Sequence, residues 1–277
     1  MRRVIVHLGM PKTATTTCQN ALWKHRAALR ERGWLYPSVE PNHTNALCTM
    51  FLPDPRCHIT VRSRGITTPA AAEALRAEYF AILEAELADD NWHTLILSAE
   101  GLSNLSEASL SNLRNWLLRY ADAVEAFYWL RHPVSYSISV MQQMLKGGET
   151  ISGMMSSLPL TNYRGKLANA LAVFGRDALR VERFEDATAR PGGVVAQFCA
   201  ALGLPDDLAK QVTDSAQREN ESMSLLAGYA LDALNHARPL FVNGSPNPQR
   251  HPAELAQLMR IRGPMFDLQA AQKHQIR

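Results

Sequence analysis

Short apolar runs alternate with longer amphipathic segments along this chain, which predicts strands and helices in turn. Residues 4–8 (VIVHL) form the first run, and Gly9 and Pro11 end it. Residues 12–33 follow with apolar positions at helical spacing, and Gly33 supplies a left-handed stop. The opening unit is therefore predicted to be a buried strand, a tight loop and a helix.

Three further strands are predicted at 94–98, 123–130 and 178–184. Helices are predicted between and after them, at 70–90, at 106–121 with Ser106 as N-cap, from Pro133 to Gly147, and at 192–203. This alternation predicts an α/β fold of three layers, α/β/α, with a mainly parallel central sheet and helices on both faces. Ligands of such sheets bind at the carboxyl ends of the strands, where residues 9–17, Glu100 and Arg131 are expected.

Two stretches fit the sheet less well. Residues 36–68 contain prolines and arginines with weak periodicity, and residues 236–252 are a loop by composition, leading into a last helix near 253–260. Long loops in compact domains are often functional. We expect the segments 36–68 and 236–277 to be excursions that cover a substrate, within one domain that spans residues 1–277.

The composition mainly excludes certain classes of protein and of partner. Of the 277 residues, 46% are hydrophobic and 20% charged, which excludes a disordered chain. The net charge of +3 is too small to predict a nucleic-acid partner, although it fits one basic pocket. The four cysteines lack metal-ligand spacing and are expected as free thiols. No apolar run suits a membrane span or a signal peptide, so a cytoplasmic location is expected.

The loop after the first strand carries groups that suit a phosphate. Backbone amides at a helix N-terminus and the helix dipole favour an anion there. Lys12 adds a positive charge, and Thr13, Thr15, Thr16 and Thr17 add hydroxyls. The Gly-Lys-Ser/Thr ending of a Walker A loop is absent, so no metal is predicted. The alternative is a threonine cluster that caps the helix beside a surface lysine.

Residues 4–19 (VIVHLGMPKTATTTCQ) resemble the 5′-phosphosulfate loop of sulfotransferases that use 3′-phosphoadenosine 5′-phosphosulfate (PAPS), particularly bacterial members with an HIG-x-PKTGTT opening. The second signature of that superfamily is an arginine at a strand end, a proline, and a serine eight residues after the arginine. Arg131, Pro133 and Ser139 match it. The resemblance covers about residues 1–205 and implies a P-loop-like sulfotransferase domain with PAPS as co-substrate.

The resemblance also implies roles for the loop residues. Lys12 would contact the oxygen that bridges phosphate and sulfate, and its neighbours would hold the 5′-phosphate. The positions carried over are Pro11, Lys12, Thr13, Ala14, Thr15 and Thr16. Ala14 stands where the family has a glycine, which lets the backbone approach the phosphate. We expect a helical first turn to tolerate the added methyl group.

Three residues outside the loop would complete the donor site. Arg131 and Ser139 resemble the pair that holds the 3′-phosphate, and a guanidinium with a hydroxyl suits a phosphate dianion. The alternative for both is a solvated surface position. Tyr163 lies where the superfamily has an aromatic residue beside the adenine ring, although a tyrosine of a helix core is the competing interpretation.

Transfer to an alcohol requires a general base. Glu100 ends the second predicted strand, where cytosolic sulfotransferases have their catalytic histidine, and LILSAEGL resembles the SSE segment of bacterial relatives. We predict Glu100 as the base, with Ser98 orienting it or contacting the phosphosulfate. His43 is the competing base, although a lone loop histidine is usually a surface residue. His7 is expected to be a core histidine with satisfied hydrogen bonds.

The sequence thus predicts a PAPS-dependent sulfotransferase that modifies a hydroxyl of a small molecule, saccharide or lipid. A metal-dependent P-loop phosphotransferase is the first alternative, and it is disfavoured by the missing Gly-Lys-Ser/Thr. A non-catalytic nucleotide-binding protein is the second, for which Ala14 is the positive hint.

Overall fold

A computed structural model describes residues 1–216, 223–251 and 253–276. Within this part of the chain the backbone divides into two compact units. The first unit combines Met1–Leu130 with the described residues from Asn162 to position 216. The second combines Arg131–Thr161 with the described residues from position 223 onward. A single domain over residues 1–277 stays a prediction.

Among the described residues, five strands of the first unit form a parallel sheet in the order β2-β3-β1-β4-β5. They are β1 (Arg3–Leu8), β2 (Trp34–Leu35), β3 (Thr94–Ala99), β4 (Ala123–Leu130) and β5 (Leu179–Arg183). The predicted strands agree with these bounds to within about one residue, and the parallel sheet is confirmed. The two-residue β2 was not predicted because it is too short to show a pattern.

Helices cover both faces of the sheet, because successive side chains of a strand point to opposite sides. Val4 and Val6 pack in one core, whereas Ile5 packs in the other. The first core is closed by α3 (Thr44–Phe51), α5 (Pro69–Leu87), α6 (Glu107–Leu117) and α9 (Tyr163–Phe174). The second is closed by α1 (Thr15–Lys24), α2 (Arg26–Glu31), α10 (Phe184–Ala189), α11 (Gly193–Leu202) and α12 (Asp206–Asp214). The predicted three-layer α/β/α architecture is confirmed.

The segment 36–68 differs from its prediction, because much of it is helical and part of the core. It contains α3, a 3₁₀ turn (Pro55–Cys57) and α4 (Ile59–Ser63). Leu47 and Cys48 of α3 are buried in the first core. The prolines of this segment lie before and after α3 rather than inside it, so they do not interrupt the helix. A role in covering a substrate stays a prediction.

The second unit has its own core of helices. These are α7 (Pro133–Lys146), α8 (Ile151–Ser156), α13 (Leu225–Ala237), α14 (Ala253–Leu258) and α15 (Ala270–Ile276). Helix α7 begins at Pro133 and ends before Gly147, as predicted. The predicted loop at 236–252 begins inside α13 and contains a hairpin of β6 (Phe241–Val242) and β7 (Ser245–Pro246). None of the described helices combines the length and apolar character that a membrane span requires.

Candidate active site

Residues 9–14, named here the anion loop, connect β1 to α1 at the carboxyl edge of the sheet. Lys12 (φ 70°) and Ala14 (φ 55°) adopt the left-handed conformation, and in the described chain Asn243 is the other non-glycine residue with positive φ. Each such residue costs about 1–3 kcal/mol and persists where its surroundings hold it. Two of them in one loop, at the edge where parallel sheets bind ligands, mark the loop as a functional candidate.

Ala14 is the N-cap of α1, and its left-handed backbone contradicts the expectation of a helical first turn. Alanine has no side-chain acceptor, so this N-cap residue makes no side-chain cap hydrogen bond. The helix itself is intact, since the Cys18 N–H donates to the Ala14 carbonyl at 3.1 Å. A helix start without a side-chain cap, with a lysine two residues earlier, favours an anion through its amides and its dipole.

Ala14→Gly is expected to raise the free energy of unfolding by about 0.5–1 kcal/mol, because glycine adopts a positive φ without a steric penalty. Urea unfolding followed by circular dichroism measures the change. The matched control is Ala21→Gly in the interior of the same helix, which is expected to lower stability by about 1 kcal/mol or more. Equal losses in both variants would contradict the strain assigned to Ala14.

The threonines in the loop and at the start of α1 differ in burial. Thr13 and Thr15 are buried, and the Thr13 hydroxyl donates to the Met10 carbonyl at 2.6 Å. Thr16 is exposed at the start of α1. Pro11 and Lys12 are partly exposed. The Thr13 and Thr15 side chains therefore pack inside the loop, while Thr16 is accessible to solvent.

Glu100 lies directly after β3, as the first residue of a 3₁₀ turn (Glu100–Asn104). Burial raises the pKa of its carboxyl above the ordinary glutamate value. A hydrogen bond from the Thr15 hydroxyl and the positive charge of Lys12 act in the opposite direction with smaller effect. The predicted base and the predicted lysine of the loop thus lie close enough to interact.

Gly9 explains how the loop comes so close to Glu100. A Cβ atom at position 9 would lie 3.0 Å from Thr15 Cγ2 and 3.3 Å from Glu100 Cα. Both contacts are tighter than ordinary van der Waals separations, so a larger residue would push α1 and β3 apart. The Gly9 N–H also donates to the Ala99 carbonyl at 3.2 Å, which fixes the loop to the end of β3.

His43 is not a surface residue, and that expectation is wrong. It is 1% exposed and packs against Tyr36, with the two rings tilted and their centroids 4.6 Å apart. Its backbone N–H donates to the Ser98 carbonyl at 3.1 Å, and its ring Nδ1 accepts from the Ser98 backbone N–H at 3.1 Å. Burial lowers the pKa of His43 to about 4, and the Pro37 carbonyl only partly opposes this. The basic nitrogen of the neutral ring is therefore occupied, which disfavours His43 as the competing base.

Ser98 and His7 are buried together beneath the loop. Ser98 is 0% exposed, which contradicts the expectation that it could contact the phosphosulfate. Its hydroxyl lies 2.8 Å from His7 Nδ1. His7 is a core histidine, as predicted, but its Nε2 has no hydrogen-bond partner among the described residues and the ring packs against Phe198. Burial lowers the pKa of His7 to about 3, so the ring is neutral.

The sequence interpretation missed Gln19. It lies one turn into α1, is 1% exposed, and its amide donates to the Ser98 carbonyl at 3.0 Å. A glutamine on the buried side of an otherwise apolar stripe was the available signal, since buried polar side chains need partners.

The three donor-site residues outside the loop have defined positions in their own units. Arg131 directly follows β4, the neighbour of β1, and its Nε donates to Ser135 Oγ at 3.2 Å. Ser139 is a partly exposed residue of α7. Tyr163 begins α9 and packs partly against the first core. Their roles toward a nucleotide stay predictions.

In the described part of the chain no group of three or more His, Cys, Asp or Glu residues could hold a metal ion.

Comparison with known proteins finds no matching family model and no matching curated protein. Among solved structures, this chain is similar to a sulfotransferase from Alicyclobacillus acidocaldarius, with 17% identity and a TM-score of 0.43 over 86% of this chain and 94% of that one. It is also similar to a sulfotransferase domain from the curacin biosynthetic pathway, with 13% identity and a TM-score of 0.39 over 99% of this chain and 96% of that one. These identities and TM-scores are too low to assign a function, so the function depends on what this chain's own residues can do.

Proposed function

We propose that this chain is a sulfotransferase that moves the sulfuryl group of PAPS to a hydroxyl of a small molecule, saccharide or lipid. The observation that supports it most directly is the position of Glu100, which directly follows β3 beside the anion loop, with its Cα and Cγ 3.3 Å from where a Cβ of Gly9 would lie. A general base beside an anion-binding loop is the pairing that transfer from an anionic donor to an alcohol requires.

The donor would be held mainly by the anion loop. The amides at the start of α1 and the Lys12 ammonium would bind the 5′-phosphosulfate, and the exposed Thr16 hydroxyl would add a donor. Arg131 and Ser139 would bind the 3′-phosphate, and Tyr163 would contact the adenine, as the resemblance to PAPS-dependent enzymes implies. The 3′-phosphate distinguishes PAPS from ATP, so Arg131 carries the nucleotide preference in this proposal.

Glu100 and Lys12 would each have one role in the reaction. Glu100 would take the proton of the acceptor hydroxyl as the oxygen forms its bond to sulfur. Lys12 would stabilise the negative charge that develops on the bridging oxygen as the bond between that oxygen and sulfur breaks. The products are a sulfate ester and adenosine 3′,5′-bisphosphate. A sulfuryl group carries one formal negative charge, less than a phosphoryl group, so a lysine and backbone amides suffice in this scheme.

A calorimetric titration tests the donor site. Adenosine 3′,5′-bisphosphate is expected to bind at least about tenfold more tightly than ATP with Mg²⁺, a difference of about 1.4 kcal/mol. Transfer of labelled sulfate from PAPS to components of a cell extract then tests the reaction. Tighter binding of ATP with Mg²⁺ would instead favour a metal-dependent phosphotransferase. Bisphosphate binding without any sulfate transfer would favour a non-catalytic nucleotide-binding protein.

A further inference from the structure

A set of buried and partly buried hydrogen bonds joins α1, the helix that follows the anion loop, to β3, the strand that directly precedes Glu100. Its members, named here the Gln19 cluster, are Gln19, Asn42, His43, Thr44 and Ser98. Gln19 belongs to α1 and Ser98 to β3, while Thr44 begins α3 and Asn42 and His43 directly precede it. The first unit contains all of them, as it does the loop and Glu100.

Gln19 makes the connection between α1 and β3. Its Nε2 donates to the Ser98 carbonyl at 3.0 Å, to Ser98 Oγ at 3.1 Å and to Asn42 Oδ1 at 3.3 Å. Asn42 Oδ1 also accepts from the Thr44 N–H at 3.1 Å and the Thr44 hydroxyl at 2.7 Å. A buried amide that lost these partners would leave several polar atoms unsatisfied, so the bonds hold the elements in one arrangement.

The same cluster fixes the backbone on both sides of Glu100. Two residues before it, the Ser98 N–H donates to His43 Nδ1 at 3.1 Å. One residue after it, the Gly101 N–H donates to Thr44 Oγ1 at 3.1 Å. A Cβ at Gly101 would lie 2.5 Å from Thr44 Cγ2, so this contact leaves no room for adjustment. The Glu100 main chain is therefore held before and after the carboxyl-bearing residue.

We propose that Gln19 is a positioning residue, which sets the distance between the anion loop and the Glu100 carboxyl. This role rests on the proposed sulfotransferase function, in which the loop holds the donor and Glu100 activates the acceptor. In-line transfer is sensitive to this separation, since a misplacement of about 1 Å can cost up to about 100-fold in rate. Gln19 itself is buried and acts through Ser98 and the start of α3, without touching either substrate.

Gln19→Met tests the role, because methionine keeps the length and volume of the side chain but cannot donate the hydrogen bonds. We expect kcat for sulfate transfer from PAPS to fall about 10- to 100-fold, with the KM for PAPS and the calorimetric Kd for adenosine 3′,5′-bisphosphate changed less than about twofold. The acid limb of the pH profile, which is the fall of activity at low pH, is also expected to shift, because the surroundings of Glu100 change.

The matched control is Asn235→Leu in the second unit. Asn235 is 2% exposed, and its amide likewise donates to two backbone carbonyls, those of Leu145 and Glu149, at 2.9 and 2.6 Å. Both variants should lower the melting temperature by several degrees, and only Gln19→Met should lower kcat with an unchanged bisphosphate affinity.

Three outcomes separate this role from the proposed function. A kcat of Gln19→Met equal to that of the wild type would overturn the positioning role and leave the sulfotransferase intact. A parallel loss of kcat and of bisphosphate affinity would also overturn it, because Gln19 would then act only by supporting the donor site. A wild-type chain that binds no adenosine 3′,5′-bisphosphate would overturn the proposed function and the positioning role together.

Discussion

Glu100→Gln is expected to lower the turnover of sulfate transfer by about 10²- to 10⁴-fold, the range that a general base contributes. The amide keeps the shape of the side chain and can still accept a hydrogen bond from Thr15, but it cannot take a proton. The affinity for adenosine 3′,5′-bisphosphate should stay nearly unchanged, which calorimetry measures independently of activity. Unchanged turnover would reject Glu100 as the base.

The pH dependence gives a second measurement on the same variant. Burial raises the pKa of Glu100 above its ordinary value, so kcat/KM of the wild type should fall as the pH drops through that raised value. Glu100→Gln should lack this fall at low pH, the acid limb of the profile. Glu125→Gln, an exposed glutamate of β4, is the matched control and should keep both the limb and the turnover.

The stability of Glu100→Gln should change in the opposite direction from its activity. A carboxyl whose pKa is raised by folding favours the folded state in its protonated form, and that advantage is lost as the pH rises through the raised pKa. Above the raised pKa the wild type therefore carries a buried charge that the amide lacks, and there the variant should melt at a higher temperature. Below the ordinary glutamate pKa the difference should vanish.

Lys12→Met is expected to lower turnover by about 10²- to 10³-fold, as the loss of one donor to a developing oxyanion does. The affinity for adenosine 3′,5′-bisphosphate should fall by a smaller factor, since the amides of α1 remain. The acid limb should also move to higher pH, because Lys12 lowers the pKa of Glu100 and its removal lets that pKa rise. Steady-state kinetics over a pH series measures both effects.

The control for this variant is Lys24→Met, which removes an exposed lysine from the last turn of the same helix. It changes the net charge equally but lies at the opposite end of α1, so neither turnover nor the acid limb should respond. If Lys24→Met and Lys12→Met gave the same loss, the effect would be one of overall charge. A lower turnover in Lys12→Met without any shift of the acid limb would contradict the interaction between Lys12 and Glu100.

Much of the fold was predictable because its signals are local. The strand at 4–8 is a run of buried apolar residues, Ser106 caps α6, and Gly203 ends α11 with a positive φ. The order of strands and helices then implies a parallel sheet, and the sheet places Lys12 and Glu100 at the same carboxyl edge. That β1 and β3 are neighbours in this sheet was shown only by the structure.

The errors have a common cause in contacts between distant positions. Prolines made 36–68 look like a loop, but the apolar face of α3 finds its core partners in α5 and α6. His43 looked exposed because its partner, Ser98, lies 55 residues away in the chain. Ala14 was expected to suit a helical first turn, whereas its backbone in the folded loop is left-handed, with φ 55°.

By itself the sequence determined the layers, the parallel strands, the anion loop and the residue that follows β3, because apolar periodicity and turn residues act over a few neighbours. Only the tertiary structure decided how far the loop lies from Glu100, that His7 and His43 are buried and neutral, and that Gln19 joins α1 to a strand 79 residues further along the chain. Those properties depend on burial and on hydrogen bonds between elements, and both arise only when the layers pack together.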